Sequence, residues 1–465
     1  MKGQLFQLYP TKNQANVLLD WIGCQRFIYN AKVSEDRYFR TFAKKSLGLN
    51  LKDIPIDQTY SQFKADAHFL KSVPSQILRN GAVRWMDAYN RFFKKLGGRP
   101  KFKQPHGRQS VLITSELFNL FQNKDDNWFV HLGTKRFPLG NIKLSRNTPI
   151  EQMPKMVVIS VNAGKWSLSF NTEEVTEQGE IKQFPTPQEV LDELSQYSLS
   201  ELRSLTNGVD RGVVLPACDA KSLIEERVFT ENEKQLKLKE KKRKKYQKRL
   251  TKQQRHSNRY KRTKQKIARL SAYKANCITN MAHKVSHALT EDKSTKIIAL
   301  EALPVKNMTR SAKGNQEKHG KNVKQKAGLN RSILQSGWGK IKTFSTYKAF
   351  KKGKLFVTVP PQHTSQECAA CGTINSANRQ SQSQFACQAC GIKINADLNA
   401  GNVIANHAAF GVYQHFSGQE LSTRAGVKLN AQTPVEFTVS RNVIKLYRAQ
   451  NKETGNRHPE LAKAS

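Results

Sequence analysis

The chain is short of cysteine, short of acids and free of long apolar runs, and each shortage narrows what it can be. Seven cysteines in 465 residues are too few for a disulfide scaffold of this size, and four of them fall in two Cys-x-x-Cys pairs. A reducing, cytoplasmic setting with a bound metal is the expectation. No stretch approaches the ~18 consecutive apolar residues that a membrane span needs. The opening MKGQLFQLYPTK has no apolar run like that of a secretory signal. Secretion, a membrane span and a disulfide-rich fold are therefore not expected. Apolar residues at 38% suffice for real cores, and the length suggests roughly three domains.

The shortage of acids is the most informative. There are 36 Asp and Glu against 78 Lys and Arg, a formal charge of +42 and a pI near 10.1. A polyanionic partner relieves such self-repulsion and adds counterion release. A merely solvated basic surface or an anionic membrane surface are the alternatives. The charge has structure: residues 231–275 hold 19 Lys and Arg against three Glu. The rest of the chain is also basic, so the positive surface runs through the folded body, as several phosphate-contacting faces would require. Residues 173–202 invert the sign, with eight acids and Lys182, and read as a linker kept off the phosphate path, with a helix from about Thr186 after Pro185.

Residues 2–9 alternate as a strand does. Thr11 and Gln14 then have the spacing of a helix capping box, and residues 11 to about 97 look mostly helical. From Arg99 to about Asn171 short β-rich runs recur, such as Val111–Thr114 and Met156–Ile159, punctuated by Gly and Asn. A strand is expected over Val209–Val214, a long helix or helical hairpin over 231–275, and apolar strands at Ile297–Leu300 and Leu355–Val359. Residues 309–328 read as a mobile loop, and a helix after Leu329 carries Ile333, Leu334 and Trp338.

Cys368-x2-Cys371 and Cys387-x2-Cys390 are separated by 15 residues. Each pair can hold two corners of a tetrahedron, and Gly372 and Gly391 permit the tight backbone that follows. A closed four-sulfur site leaves no open position, so the expected Zn2+ is structural. A pair of redox dithiols is the alternative. Cys24, Cys218 and Cys277 read as ordinary core or surface residues.

Asp210 lies inside an apolar strand, where a lone acid is costly without a cation or a base. Glu301 directly follows Ile297–Leu300, and Asp397 opens a late helix just past the last cysteine. Each alone could be an exposed residue or a helix cap. Together they can converge on a pair of Mg2+ ions, which take hard oxygen ligands and can activate water against a phosphodiester.

These segments resemble the TnpB (OrfB) family, insertion-sequence-encoded RNA-guided DNA endonucleases related to type V CRISPR effectors. The resemblance is carried by Gly208–Gly212, Ile298–Leu303, Leu329–Leu334 with Gly337–Gly339, Thr364–Gly372, and Asp397–Ala400. The openings Leu8–Lys12 and Phe27–Asn30 add to it. It implies a multidomain α+β and α/β protein: a β-barrel wedge domain (1–10 and 98–172) with a helical recognition domain (11–97) inserted. An acidic linker (173–206) would lead to an RNase H-like RuvC nuclease domain (207–362 and 394–410), interrupted by a zinc ribbon (363–393). A tail (411–465), read as disordered or as a private interaction segment, matches nothing in the family.

Carried over by position, Asp210, Glu301 and Asp397 would be the catalytic, Mg2+-binding acids. Cys368, Cys371, Cys387 and Cys390 would be the Zn2+ ligands. The partners implied are a guide RNA from the transposon end and double-stranded target DNA with a short flanking motif. One departure stands out: the family usually has Asp where this chain has Asn395. A cleavage-inactive RNA-guided repressor, a transposase acting directly on DNA and a zinc-stabilised RNA-binding protein are the competing expectations.

Overall fold

The structure is a computed structural model. It describes residues 2–48, 57–145, 150–213, 217–219, 226–314, 319–417, 435–440 and 443–448. The chain divides into two units, residues 1–182 with 256–272 and residues 183–255 with 273–465.

In the first unit, β1 (Lys2–Tyr9) buries alternate residues Gln4, Phe6 and Leu8, as a half-buried strand must. Helices α1 (Lys12–Ser46), α2 (Phe63–Asp66) and α3 (Ser75–Phe93) follow. The predicted capping box starts α1: Thr11 Oγ1 accepts from Gln14 N at 3.3 Å, and Gln14 Oε1 accepts from Thr11 N at 3.0 Å. Strands β2 (Gln109–Thr114), β3 (Phe118–Gln122), β4 (Trp128–Gly133), β5 (Pro138–Leu144), β6 (Met156–Asn162) and β7 (Lys165–Thr172) then pair with β1 in the order β2-β6-β7-β1-β5-β4-β3. Every ladder is antiparallel. No ladder joins β2 to β3 among the described residues, so the expected barrel is seen as a seven-stranded antiparallel sheet.

Helices and sheet share one core, with Leu18, Trp21 and Ile28 of α1 and Ile77 of α3 against Phe6, Val111, Ile142 and Leu168. The buried Gln25 side chain ties the layers: it donates to Ile77 O and Leu112 O and accepts from Leu112 N at 2.8 Å.

The second unit opens with α4 (Pro187–Leu194) and α5 (Leu199–Ser204), each started by a full capping box on Thr186 or Ser198. Next come β8 (Thr206–Asp210), β9 (Cys218–Asp219), α6 (Glu226–Thr251), α7 (Asn258–Glu291), β10 (Ile297–Glu301), α8 (Val305–Met308), α9 (Val323–Gln335), α10 (Trp338–Lys351) and β11 (Leu355–Val359). Residues 258–272 of α7 belong to the first unit. The chain ends through β12 (Gln384–Ala386), β13 (Lys393–Asn395), α11 (Ala396–Ser417), β14 (Val435–Ser440) and β15 (Val443–Arg448).

A six-stranded sheet runs β14-β15-β11-β10-β8-β9. Strands β8, β10, β11 and β15 are parallel, and both edge strands are antiparallel to their neighbours. All residues of β10 and β11 are buried, as in a parallel sheet covered on both faces. Ile297, Ala299 and Leu355 pack with α4, α5 and α11, while Ile298, Leu300 and Phe356 pack with α7 and α10. β12 and β13 form a separate antiparallel hairpin. No described helix is long and apolar enough to cross a membrane.

Several expectations change. The stretch expected as a linker is not one over 187–205: Val190, Leu191, Leu194 and Leu202 have helical spacing and are buried in the sheet's core, beneath an acidic outer face. Residues 309–328 are not one loop, because α9 begins at Val323; Lys326 Nζ and Asn330 Nδ2 bind back to the carbonyls of Met308 and Thr309. Residues 315–318 of that stretch lie outside the described residues. The helix after Leu329 is two helices, broken at Gly337 in the left-handed conformation (φ 72°). The strand ends at Asp210: residues 211–213 are in no strand, and Val214 lies outside the described residues. Past residue 410, α11 runs on to Ser417 and β15 adds a strand beside β11; residues 418–434 and 449–465 of the expected tail lie outside the described residues. The 231–275 block is a helical hairpin, α6 and α7.

Candidate functional site

The parallel register of β8 and β10 pairs Val209 with Leu300, which leaves Asp210 and Glu301 at the ends of adjacent strands. Asp397 is in the first turn of α11, and α11 lies directly on β8. At Gly208 the contact is backbone to backbone: a Cβ there would stand 2.2 Å from Gly401 O and 2.4 Å from Ala405 N. This close approach explains the glycine two residues before Asp210.

Asp210 feels both of the other acids. The Asp210 carboxyl is pushed up to about 7, first by burial and then by the negative charges of Glu301 and Asp397. Glu301 is also raised, chiefly by burial. Nearby donors hold one oxygen of each carboxylate. Arg211 N donates to Asp210 Oδ1 at 2.8 Å, Thr364 Oγ1 to Glu301 Oε1 at 2.5 Å, and an Arg379 guanidinium nitrogen lies 3.3 Å from Asp397 Oδ1.

The buried Arg211 donates to the backbone carbonyl of Glu301. Its guanidinium is drawn down to about 10 by burial, against the pull of Glu301 and Asp210. Trp338 Nε1 donates to Gly212 O at 2.9 Å, fixing the segment that leaves Asp210. Thr364, Arg211 and Trp338 stand inside conspicuous motifs, but their spacing alone assigns them no role. Arg379 had no signal beyond lying between the two cysteine pairs.

Asn395 accounts for its own departure from the family pattern. Its Oδ1 accepts from the backbone N–H of Asp397 at 2.9 Å and of Leu398 at 3.2 Å, the work of a helix N-cap, at which Asn and Asp are equivalent.

The four cysteines form a second cluster. Among the described residues they alone bring one ligand atom each within 4.8 Å of all the others; the three carboxylates are more widely spread. Cys368 Sγ lies 3.7 Å from Cys390 Sγ, and Cys371 Sγ 3.5 Å from Cys387 Sγ. These are too long for a disulfide and close to the ~3.8 Å edge of a tetrahedron with metal–sulfur bonds of about 2.3 Å.

The two turns are near copies. Gly372 N donates to Cys368 O and Gly391 N to Cys387 O, at 2.8 and 3.1 Å, and both glycines have φ 74°. Cys368 N then binds Thr373 O, as Cys387 N binds Ile392 O. Asn378, fully buried, joins the turns: its Nδ2 donates to Gln366 O and Thr373 O, and its Oδ1 accepts from Gln388 N. The donor set and its spacing fit Zn2+. Of the other cysteines, Cys24 and Cys218 are buried and Cys277 is partly so.

Fold and site together define a class: a mixed α/β chain built like the Cas12 effectors, with a four-cysteine ribbon feeding an acid-bearing helix onto a mostly parallel sheet. One solved structure of that class, titled as a Cas12f1–sgRNA–target DNA complex, matches 85% of this chain and 83% of its own, with a TM-score of 0.50 at 12% identity. Family models match residues 1–37 ("Helix-turn-helix domain"), 203–312 ("Probable transposase") and 338–404 ("Cas12f1-like, TNB domain"). The first name does not describe the geometry, since residues 12–37 lie in one continuous helix.

The chain is 31% identical over 409 residues to "Putative RNA-guided DNA endonuclease InsQ" of Escherichia coli (strain K12), covering 86% of this chain and 90% of the relative. It is 24% identical over 447 residues to "Putative RNA-guided DNA endonuclease" of Streptomyces pristinaespiralis, covering 93% and 96%. The chain belongs to the TnpB (OrfB) family.

Proposed function

We propose that this protein is the RNA-guided DNA endonuclease of a transposable element, hydrolysing target phosphodiesters at Asp210, Glu301 and Asp397. The observation that carries the reading is the placement of Asp210 and Glu301 at adjacent strand ends, with Asp397 close enough to act on Asp210, in a molecule of charge +42. Burial together with Glu301 and Asp397 raises Asp210 to about 7, a perturbation of the kind that clusters at functional sites. In this reading the six-stranded sheet is an RNase H-like RuvC domain, residues 363–393 are its zinc ribbon, and the first unit is a wedge domain with recognition helices.

The donor set fits hard divalent ions, a pair of Mg2+ in this reading. All three side chains offer hard oxygens, and each has one oxygen held by Arg211 N, Thr364 or Arg379 while the other accepts no hydrogen bond among the described residues. When bound there, divalent ions activate water and neutralise charge on the scissile phosphate. The chain's own residues set the stage. The two strand ends fix Asp210 beside Glu301, Thr364 fixes the Glu301 carboxylate, and Arg379 and the Asn395 cap fix Asp397. Asp210 must be ionised to act, and Arg379 favours that form. Cleavage leaves a 5′-phosphate and a 3′-hydroxyl.

The basic hairpin of α6 and α7 supports a guide RNA partner. Most of its Lys and Arg are exposed, and Lys239 Nζ stands 3.6 Å from the centre of the Tyr273 ring. Base pairing would read the target, with the protein reading duplex shape and a short flanking motif. The test is to purify the full chain, sequence the RNA that accompanies it, and supply a plasmid matching that RNA with Mg2+. Cutting by the unmutated protein, and guided binding without cutting by Asp210→Ala, is expected. Binding without cutting by the unmutated protein would make it a repressor, and strand transfer without RNA would make it a transposase.

A further inference from the structure

The body of α11 packs on the sheet along one side, while the ribbon holds its first turn and touches a second face of the body. Its body, from Gly401 through Ala405 to Val412, packs on β8 and the sheet core. Its first turn is held from the ribbon. Asn395, at the end of β13, caps it. Ser383 O accepts from Ala396 N at 3.0 Å, and Arg379 contacts Asp397. The first N–H groups of a helix have no partner within it, so these bonds decide where that turn rests.

The strongest link runs through Asn399, buried at 2% exposure. Its Nδ2 donates to Glu367 O at 2.7 Å, and its Oδ1 accepts from Ala369 N at 3.1 Å. One amide thus grips the backbone on both sides of Cys368. Two turns further along the same face, Asn406 Nδ2 donates to Ala369 O at 2.9 Å, and His407 Nε2 meets both oxygens of Glu367 at 3.0 and 2.9 Å. The knuckle that carries Cys368 and Cys371, two of the four metal ligands, is therefore bound to the helix that carries Asp397.

We propose that Asn399 is a positioning residue through which the metal-bound cysteine knuckle sets Asp397, so that the metal content of the ribbon governs how well the three acids bind their divalent ion. The four sulfurs lie within 4.8 Å of one another, and without a cation they are thiols with no metal bond joining the two turns. Losing it frees the Cys368 turn from the sulfurs of the second cysteine pair, and Asn399 passes that change to the first turn of α11, while Asn406 and His407 keep the knuckle on the helix body. The proposal rests on Asp397 being one of the nuclease acids.

The test uses the full chain with its co-purified RNA and two readouts: amide hydrogen exchange over residues 396–400, and the Mg2+ concentration for half-maximal cleavage. Removing zinc with a chelator should speed exchange there and raise the Mg2+ requirement tenfold or more. Asn399→Ala should do both with zinc still bound, and chelation should then add little. Unchanged exchange after zinc removal, or an Asn399→Ala protein that keeps zinc and the ordinary Mg2+ requirement, overturns the proposal. If Asn399→Ala does not fold, Asn406→Ala is the second variant, expected to show the same pair of changes at smaller size and to refute the coupling if it shows neither. Exchange needs no cleavage, so an unmutated protein that never cuts but shows zinc-dependent protection refutes the nuclease reading and leaves the coupling.

Discussion

Arg379 reaches from between the two cysteine pairs to Asp397, a guanidinium nitrogen 3.3 Å from Oδ1. The same charge lowers the Asp210 carboxyl, against the upward push of burial, Glu301 and Asp397. One cation from the ribbon thus serves two of the three acids.

Arg379→Ala should therefore slow cleavage at pH 7 by about tenfold or more while guided binding is kept. The acid limb of the pH–rate profile should move to higher pH, because Asp210 loses a charge that favours its ionised form. Arg379→Lys should recover part of the rate. Measuring cleavage from pH 5.5 to 9 (about the range over which the raised carboxyl titrates) checks this.

Asp210 also fixes a stability prediction. Its carboxyl is raised from 3.8 to about 7 in the fold, so the folded state holds a proton that the unfolded chain releases. Between those values stability falls as pH rises, and above about 7 the full cost is present, on the order of 4 kcal/mol at most. Without divalent ions, Asp210→Asn should raise the melting temperature at pH 8 and change it little at pH 4. Adding Mg2+ should stabilise the unmutated protein and not the variant. Thermal melts at the two pH values decide it.

Gly208→Ala should be badly tolerated. The new methyl group would sit 2.2 Å from a carbonyl oxygen and 2.4 Å from a backbone nitrogen of α11, so strand and helix must separate. A loss on the order of 3 kcal/mol and reduced cleavage are expected from denaturant unfolding and activity assays. An unchanged midpoint would contradict the contact.

Asn395→Asp should be nearly silent in stability, within about 0.5 kcal/mol, since both residues cap a helix equally well. Asn395→Ala should cost about 1 kcal/mol through loss of the cap and should weaken cleavage by loosening Asp397. Unfolding midpoints of the two variants, side by side, give the answer.

The legible parts of this chain are those set by local chemistry. The capping box at Thr11, the strand at Ile297–Leu300 and the paired knuckles follow from spacing alone. Asp210 and Glu301 stand out because each breaks or ends an apolar strand, and Asp397 because it opens a helix just past the last cysteine. What the sequence hid depends on tertiary contact. The acids of 173–202 mask the apolar stripe of Val190, Leu191 and Leu194, which only the sheet makes use of. Ser336-Gly337 is a local break signal, but the apolar spacing of Ile333, Leu334 and Trp338 runs across it and reads as one helix. Asn399 looks like any polar residue early in a helix, and only the fold brings Glu367 and Ala369 to its two ends.

The central claim is that Asp210, Glu301 and Asp397 together hold divalent metal. Titration of the full chain with Mn2+, followed by electron paramagnetic resonance, tests it without any need for substrate. The account expects Mn2+ to be bound by the unmutated protein, displaced by Mg2+, and lost in Asp210→Asn, Glu301→Gln and Asp397→Asn alike, with zinc content unchanged. Undiminished Mn2+ binding in any one of those three variants would contradict it.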